Sequence, residues 1–97
     1  EQHIANSDRV ITGEGSLDAQ TLHGKALAGI AQICLRHSKP LIAFAGRLQE
    51  GYQDLYAQGL TAAFSINPGG ISPEQAMQDG AELLRQTSRN VMQVYRL

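Results

Sequence analysis

The sequence has 97 residues, 42% of them hydrophobic, which suits one small domain or a part of a larger one. Its net charge is -1, with eight basic and nine acidic residues and no basic stripe, so nucleic acid binding has little electrostatic support. The single cysteine, Cys34, excludes an internal disulfide and a cysteine-rich zinc site, and it fits a reducing, cytoplasmic setting. No apolar run approaches the roughly 20 residues that a membrane helix needs.

The two ends of the sequence carry different expectations. There is no initiator methionine, and the first predicted strand follows the incomplete helix and turn of residues 1–8, so we expect a fragment that lacks its N-terminal portion. The last residues, V-M-Q-V-Y-R-L, continue a helical pattern, and we expect the true C-terminus there.

A short strand and a glycine-rich loop are predicted next. Residues 9–12 form the strand, because β-branched side chains dominate them. Residues 13–18 form the loop, in which Gly13 and Gly15 flank Glu14 and allow backbone angles and a close approach that a Cβ would forbid.

A helix and a buried strand follow this loop. Residues 25–37 are predicted to be helical, because their apolar side chains recur with the spacing i, i+3, i+4, i+7. These side chains are Leu27, Ile30, Ala31, Cys34 and Leu35. Pro40 ends the helix, since the residue before a proline resists helical angles. Residues 41–45, L-I-A-F-A, form an unbroken apolar run that is typical of a strand covered on both faces.

The second half begins with a short, weak helix over residues 51–58, for which Gly59 is the predicted C-cap. A third strand is predicted over residues 61–66. The loop signal N-P-G-G over residues 67–70 then precedes the last helix.

The last helix is predicted to begin with Ser72 as N-cap, Pro73 in the first position and Gln75 completing a capping box. One helix is expected from there to the end of the chain. Its buried side is predicted to carry Met77, Ala81, Leu84, Ser88, Val91 and Tyr95. Its solvent-facing side is predicted to carry Asp79, Glu82, Arg85 and Arg89.

This alternation predicts an α/β fold with three parallel strands and right-handed crossover helices. Three parallel strands alone would leave both sheet edges open. We therefore expect a piece of a larger doubly wound, Rossmann-like sheet.

Two phosphate-binding motifs can be tested on residues 13–25, and both fail. The dinucleotide fingerprint G-x-G-x-x-G has Asp18 in place of its third glycine. The P-loop pattern matches only at Gly24 and Lys25, because Ala19 and Ala26 stand where it requires a glycine and a hydroxyl residue.

The polar residues of this stretch still suggest a ligand site. His23, Gly24 and Lys25 open a helix, where free N–H groups favour an anion, so Lys25 either meets a phosphate or is an exposed lysine. Asp18 can bind a metal, act as a base or serve as a turn residue. Glu14 is either a presented carboxylate or a solvated loop tip.

Other polar and small residues carry weaker signals. Gln20 and Thr21 suit the oxygens of a sugar acid or a phosphate, but both are also ordinary at the start of a helix. Cys34 is interpreted as an ordinary core residue, and metal ligation by a lone His23 has little support. The pair Gly69 and Gly70 either lines a ligand crevice or forms a tight turn.

The stretch T-G-E-G-S-L-D-A-Q-T-L-H-G-K-A closely resembles the bacterial glycerate kinase family, whose pattern reads roughly T-G-E-G-x-x-D-x-Q-T-x-x-G-K-x-P-x-G-V-A. K-P-L-I-A-F-A-G and S-I-N-P-G-G-I-S-P-E-Q-A-M extend the resemblance over nearly the whole chain, to the C-terminal part of that family. Leu27 stands where the family usually has proline and Ile30 where it has valine, and neither departure touches a reactive group.

The resemblance implies a transferase, an ATP-dependent kinase that converts D-glycerate to 2-phosphoglycerate with ATP and Mg²⁺. The 3-phosphate product is the less favoured alternative. The family has two domains, so residues 1–97 would close the main α/β domain. The second domain and the rest of the same protein would lie outside this chain.

The resemblance supports the site positions, and chemistry suggests their roles. Lys25 would hold phosphate or the glycerate carboxylate, while Asp18 and Glu14 would divide proton acceptance and Mg²⁺ binding between them. The remaining candidates, which would bind or approach the substrate, are Gly13, Gly15, Gln20, Thr21 and Gly24. Two other functions stay open: a non-catalytic nucleotide- or phosphate-binding module, and a structural fragment that completes a larger sheet. We expect the chain alone to be inactive, because a kinase needs both sides of its cleft.

Overall fold

A three-stranded parallel sheet forms the centre of the protein. The computed structural model describes residues 2–18, 25–67 and 69–97. The strands are β1 (Val10–Glu14), β2 (Leu41–Ala45) and β3 (Ala62–Ser65), in the order β1-β2-β3. Both neighbouring pairs are parallel, which confirms the predicted fold class.

Helices connect and follow the strands. They are α1 (Gln2–Ala5), α2 (Lys25–Arg36), a 3-10 helix (Tyr52–Gln58), α3 (Pro73–Gln78) and α4 (Gly80–Tyr95). The bounds of β2 and α2 agree with the sequence prediction to within one residue. Among the helices described, none combines the length and the apolar composition that a membrane span requires.

The first strand is longer than predicted. Gly13 pairs with Phe44 and Glu14 pairs with Ala45, so β1 continues two residues beyond the predicted end at Thr12. Glycine and glutamate both have a low strand propensity, but main-chain pairing with β2 overrides it. Placing Glu14 in a loop was therefore wrong, because it is the last residue of a strand.

The main core lies between the sheet and α2. Its buried residues are Leu17, Leu27, Ala31, Cys34, Leu41, Ala43, Ala45, Leu55 and Leu60. Cys34 is fully buried, which confirms it as core, and burial raises the pKa of its thiol. Leu35 was placed on the buried face wrongly, since 61% of its surface is exposed.

A smaller core lies on the opposite face of the sheet. Ile42 and Phe44 of β2 pack there against Val91 of α4, with Ile66 and Met92 partly buried beside them. The all-buried pattern of β2 follows from these two cores and confirms that the strand is covered on both faces.

The C-terminal part forms two helices instead of the single predicted one. Ser72 is the N-cap of α3, because its hydroxyl oxygen accepts the N–H of Gln75 at 3.1 Å. The side chain of Gln75 donates to Asp79 Oδ2 at 2.8 Å, so its hydrogen bond runs forward along the helix and not back to the N-cap. Asp79 ends α3 with φ -92° and ψ 6°, and Gly80 then begins α4.

The predicted buried side of this segment is only partly correct. Val91 is buried, but Met77 is 84% exposed, Leu84 41% and Tyr95 45%. Periodicity identifies the apolar stripe of a helix, whereas burial also requires a partner opposite each residue of the stripe. The part of the chain that the structure describes buries α4 fully only at Val91.

An exposed ion pair on α4 gives the protein a pH-dependent contribution to stability. Hydrogen bonds from Arg85 and Gln86 lower the pKa of Glu82 to about 2. Arg85 Nε lies 2.8 Å from Glu82 Oε2, and Gln86 Nε2 lies 3.1 Å from Oε1. Because the folded-state pKa is depressed, the stabilisation is present above the unfolded pKa of about 4.3 and is lost as pH falls through about 2.

We therefore expect the Glu82 carboxyl to titrate well below pH 4 in an NMR pH series. The advantage of the parent over Glu82→Gln in unfolding midpoint should shrink between about pH 4 and pH 2 and in high salt, because exposed charges are screened. Glu74→Gln, on exposed α3, serves as the control. A Glu82 titration near the usual glutamate value would contradict this expectation.

Candidate functional site

The carboxyl ends of the three strands define one edge of the sheet. Because the strands are parallel, the loops after β1, β2 and β3 all leave from this edge. Each crossover helix must begin at the same edge in order to return the chain to the start of the next strand, so α2 begins here with Lys25. Ligands of open α/β sheets bind outside this edge.

The loops after β1 and β2 are joined to each other. The N–H of Leu17 donates to the carbonyl of Arg47 at 2.9 Å, and the N–H of Gln49 donates to the carbonyl of Leu17 at 2.8 Å. These bonds form a parallel bridge between Leu17 and Leu48. Leu17 is fully buried in the main core, so its side chain anchors this pair of loops to the sheet.

A close glycine contact lies just before this bridge. The N–H of Gly46 donates to the carbonyl of Glu14 at 3.1 Å. A Cβ on Gly46 would lie 2.9 Å from the carbonyl oxygen of Gly15, closer than a carbon atom can approach without displacing the backbone. Glycine at position 46 therefore lets the two loops lie against each other.

A crevice of about 520 Å³ opens at this edge. Glu14, Gly15, Gly46 and Arg47 line it on the side of the first two loops, and residues from the loop after β3 and from α3 line the other side. The residues that line it include one acidic residue, Glu14, and one basic residue, the exposed Arg47.

The loop after β3 contributes Asn67 to the crevice. Its side-chain Oδ1 accepts the N–H of Gly69 at 2.8 Å, and its own N–H donates to Ser65 Oγ at 3.2 Å. Gly69 and Gly70 have φ values of +86° and +75°, the left-handed angles that a tight turn requires. This geometry supports the tight-turn interpretation of the two glycines.

Glu14 lies on the face of the sheet that α2 covers. Val10, Thr12 and Glu14 are half-buried while Ile11 and Gly13 are exposed, as expected when alternate residues of a strand face opposite sides. Val10 packs against the main core, which contains residues of α2. Glu14 is therefore on the same face of the sheet as α2, the helix that Lys25 begins.

Several of the predicted site residues lie at or beside this edge of the sheet. Glu14 and Gly15 line the crevice, Gly13 lies in β1, and Asp18 is half-buried directly after the bridged Leu17. Lys25 is the first residue of α2. Predictions for the four remaining positions fall outside the described residues; these are Gln20, Thr21, His23 and Gly24.

Arg47 and Asn67 were not among the residues selected from the sequence. Each follows closely on a strand that the sequence did predict, and strand ends of a parallel sheet meet at one edge. Counting the first polar residues after each of the three strands would have found both. In the described part of the chain, no group of three or more His, Cys, Asp or Glu side chains could hold a metal ion.

Sequence comparisons relate this chain to known proteins. Residues 1–96 match the sequence profile of the Glycerate kinase family. A glycerate kinase of Halalkalibacterium halodurans is 43% identical over 88 residues, which cover 91% of this chain and 23% of that protein. A glycerate kinase of Bacillus subtilis is 37% identical, over 94% of this chain and 24% of that protein. A glycerate 2-kinase of Escherichia coli is 33% identical with the same two shares.

The matched regions are only a part of each relative. The chain spans about a quarter of the length of these curated relatives.

Proposed function

This chain belongs to the glycerate kinase family, and from that membership we propose that it forms part of an enzyme that phosphorylates D-glycerate with ATP. The match over residues 1–96 carries the proposal. The proposed product is 2-phosphoglycerate, as the name of the Escherichia coli relative suggests.

In the proposed reaction, the C2 hydroxyl oxygen of glycerate attacks the γ-phosphorus of ATP. A new O–P bond forms, the bond from the γ-phosphorus to the bridging β–γ oxygen breaks, and ADP leaves. The hydroxyl proton passes to a carboxylate of the protein. Such a transfer depends mainly on positioning and on the neutralisation of charge on the moving phosphoryl group.

The carboxyl edge of the sheet offers residues for these tasks. We assign proton acceptance to Asp18, which the Leu17 bridge holds next to the sheet edge, and the binding of Mg²⁺ to Glu14. Lys25 begins α2, whose N-terminal end favours an anion, and is assigned to phosphate or to the glycerate carboxylate. Arg47 adds a second positive charge on the crevice side.

The proposed site suits Mg²⁺ bound largely by ATP. Mg²⁺ is usually held by one or two carboxylates together with phosphates and water, so Glu14 would be a sufficient carboxylate ligand while Asp18 accepts the proton. When bound, Mg²⁺ would neutralise part of the charge on the phosphate oxygens.

A chimera tests the proposal directly. In the Halalkalibacterium halodurans glycerate kinase, the matching segment would be replaced by this chain, and the purified protein would be assayed for ADP release with and without D-glycerate. We expect glycerate-dependent ADP release and 2-phosphoglycerate in the ³¹P NMR spectrum. A folded chimera that binds ATP without glycerate-dependent turnover would contradict the kinase assignment and favour a nucleotide-binding module.

A further inference from the structure

An apolar groove lies on the face of the sheet opposite α2, away from the crevice. Its volume is about 670 Å³, and its walls are the sheet on one side and α4 on the other. Ile42 and Phe64 line the sheet side, and Val91, Val94 and Tyr95 line the helix side.

Several apolar side chains around the groove are partly or largely exposed. Val94 is 67% exposed, Tyr95 45% and Phe64 36%. Ile11, on the same face of the neighbouring strand β1, is 47% exposed. Parallel sheets are normally covered on both faces, so this face is only partly covered by the residues described.

The attachment of α4 is correspondingly limited. The helix has 16 residues and is therefore about 24 Å long. Val91 is its only buried residue. The C-terminal turns of α4 thus form one wall of the groove while most of the Val94 side chain stays uncovered by the described part of the chain.

The lengths of the relatives indicate what covers the groove. This chain corresponds to 23% of the Halalkalibacterium halodurans glycerate kinase and 24% of the Bacillus subtilis one, so about three quarters of each polypeptide lies outside the matched region. A contiguous apolar surface of this kind marks an interface.

We propose that the groove between β2, β3 and α4 is the surface on which the remainder of the same kinase polypeptide docks. The docking element is a segment with a row of apolar side chains that enters between Phe64 and Val94. Thr87 and Asn90 provide hydrogen-bonding groups along the groove. Arg9, whose guanidinium carbon lies 4.3 Å from the centre of the Tyr95 ring, borders the aromatic side chain. This inference rests on family membership and does not depend on the proposed reaction.

The test compares two aspartate substitutions in the chimera. Val94→Asp places a charge in the groove, while Leu35→Asp places one on α2 at a leucine of similar exposure, 61%. We expect Val94→Asp to lower the thermal midpoint by at least about 5 °C and Leu35→Asp to change it by no more than about 2 °C. If the Val94→Asp chimera does not fold, Val94→Ala replaces it and should give a smaller fall of the same sign.

Two results would overturn the proposal. A midpoint change of no more than about 2 °C for Val94→Asp would mean that the groove remains open to solvent in the longer polypeptide. A dimer of the 97-residue chain in sedimentation that Val94→Asp converts to a monomer, with no effect of the substitution in the chimera, would assign the groove to a second copy. Glycerate phosphorylation is measured separately, so an inactive chimera with the predicted midpoint shifts would refute the proposed function alone.

Discussion

Replacing Asp18 with asparagine in the kinase chimera is expected to lower kcat by about 10²–10⁴-fold, the contribution of a positioned general base. Asparagine has nearly the same shape, but it cannot accept the hydroxyl proton. The backbone bonds of Leu17 hold the neighbouring main chain, and asparagine keeps a side-chain oxygen that can accept a hydrogen bond, so the loop should keep its position. Steady-state kinetics with D-glycerate and ATP would measure the change, and circular dichroism would confirm that the fold is retained.

The exposed Asp54 in the 3-10 helix provides a matched control, since Asp54→Asn makes the same chemical change at a residue that does not line the crevice. We expect Asp54→Asn to retain the full turnover of the chimera. Near-normal turnover of Asp18→Asn would exclude Asp18 as the proton acceptor and transfer that role to Glu14. A rise in the KM for ATP at unchanged kcat would instead mean that Asp18 binds the nucleotide equally strongly in the ground state and in the transition state.

Replacing Gly59 with alanine is expected to be the most destabilising of the glycine-to-alanine changes considered for this chain. Gly59 caps the 3-10 helix with φ +122°, an angle that side-chain-bearing residues rarely adopt, and its added Cβ would lie 2.6 Å from the Ala31 carbonyl oxygen. The backbone conformation alone is worth about 1–3 kcal/mol, and displacement of α2 adds to it. We expect the thermal midpoint to fall by about 10 °C or more, measured by circular dichroism.

Gly29 offers the same substitution with the opposite expected sign. It lies within α2, its added Cβ would meet no atom within 4 Å, and alanine is favoured over glycine in a helix by about 0.5–1 kcal/mol. A raised midpoint for Gly29→Ala together with a lowered one for Gly59→Ala would show that the loss of stability comes from the backbone angle and the close contact at Gly59, and not from the change of glycine to alanine as such. Equal midpoints for Gly59→Ala and the parent would contradict the described packing of Gly59 against α2.

Local sequence signals predicted correctly those elements that are defined by residues close in the sequence or whose surroundings are the same at every position. The run L-I-A-F-A was assigned correctly to β2 because a strand buried on both faces is apolar at every position. The apolar spacing in α2 and the Ser72 cap of α3 can likewise be recognised from a few neighbouring residues. The cap at Gly59 also followed from a single residue type.

Features that depend on a distant partner could not be predicted in this way. Main-chain pairing with β2 makes Glu14 part of β1, and no property of Glu14 itself indicates that pairing. The exposure of Leu84 and Tyr95 depends on which residues lie opposite α4. The spacing of apolar residues along the helix carries no information about those partners. For the candidate site, the motif gave Glu14 and Asp18, whereas Arg47 required knowledge of how the strand ends are arranged.

The backbone bridge between Leu17 and Leu48 has a consequence for how ligands influence each other. The loop that carries Asp18 and the loop that carries Arg47 are joined by two hydrogen bonds, so a ligand that shifts one loop must shift the other or break those bonds. A ligand whose binding displaces one loop would therefore also change the free energy of binding at the other loop. By thermodynamic linkage such an effect would be equal in both directions, whichever of the two loops the first ligand contacts.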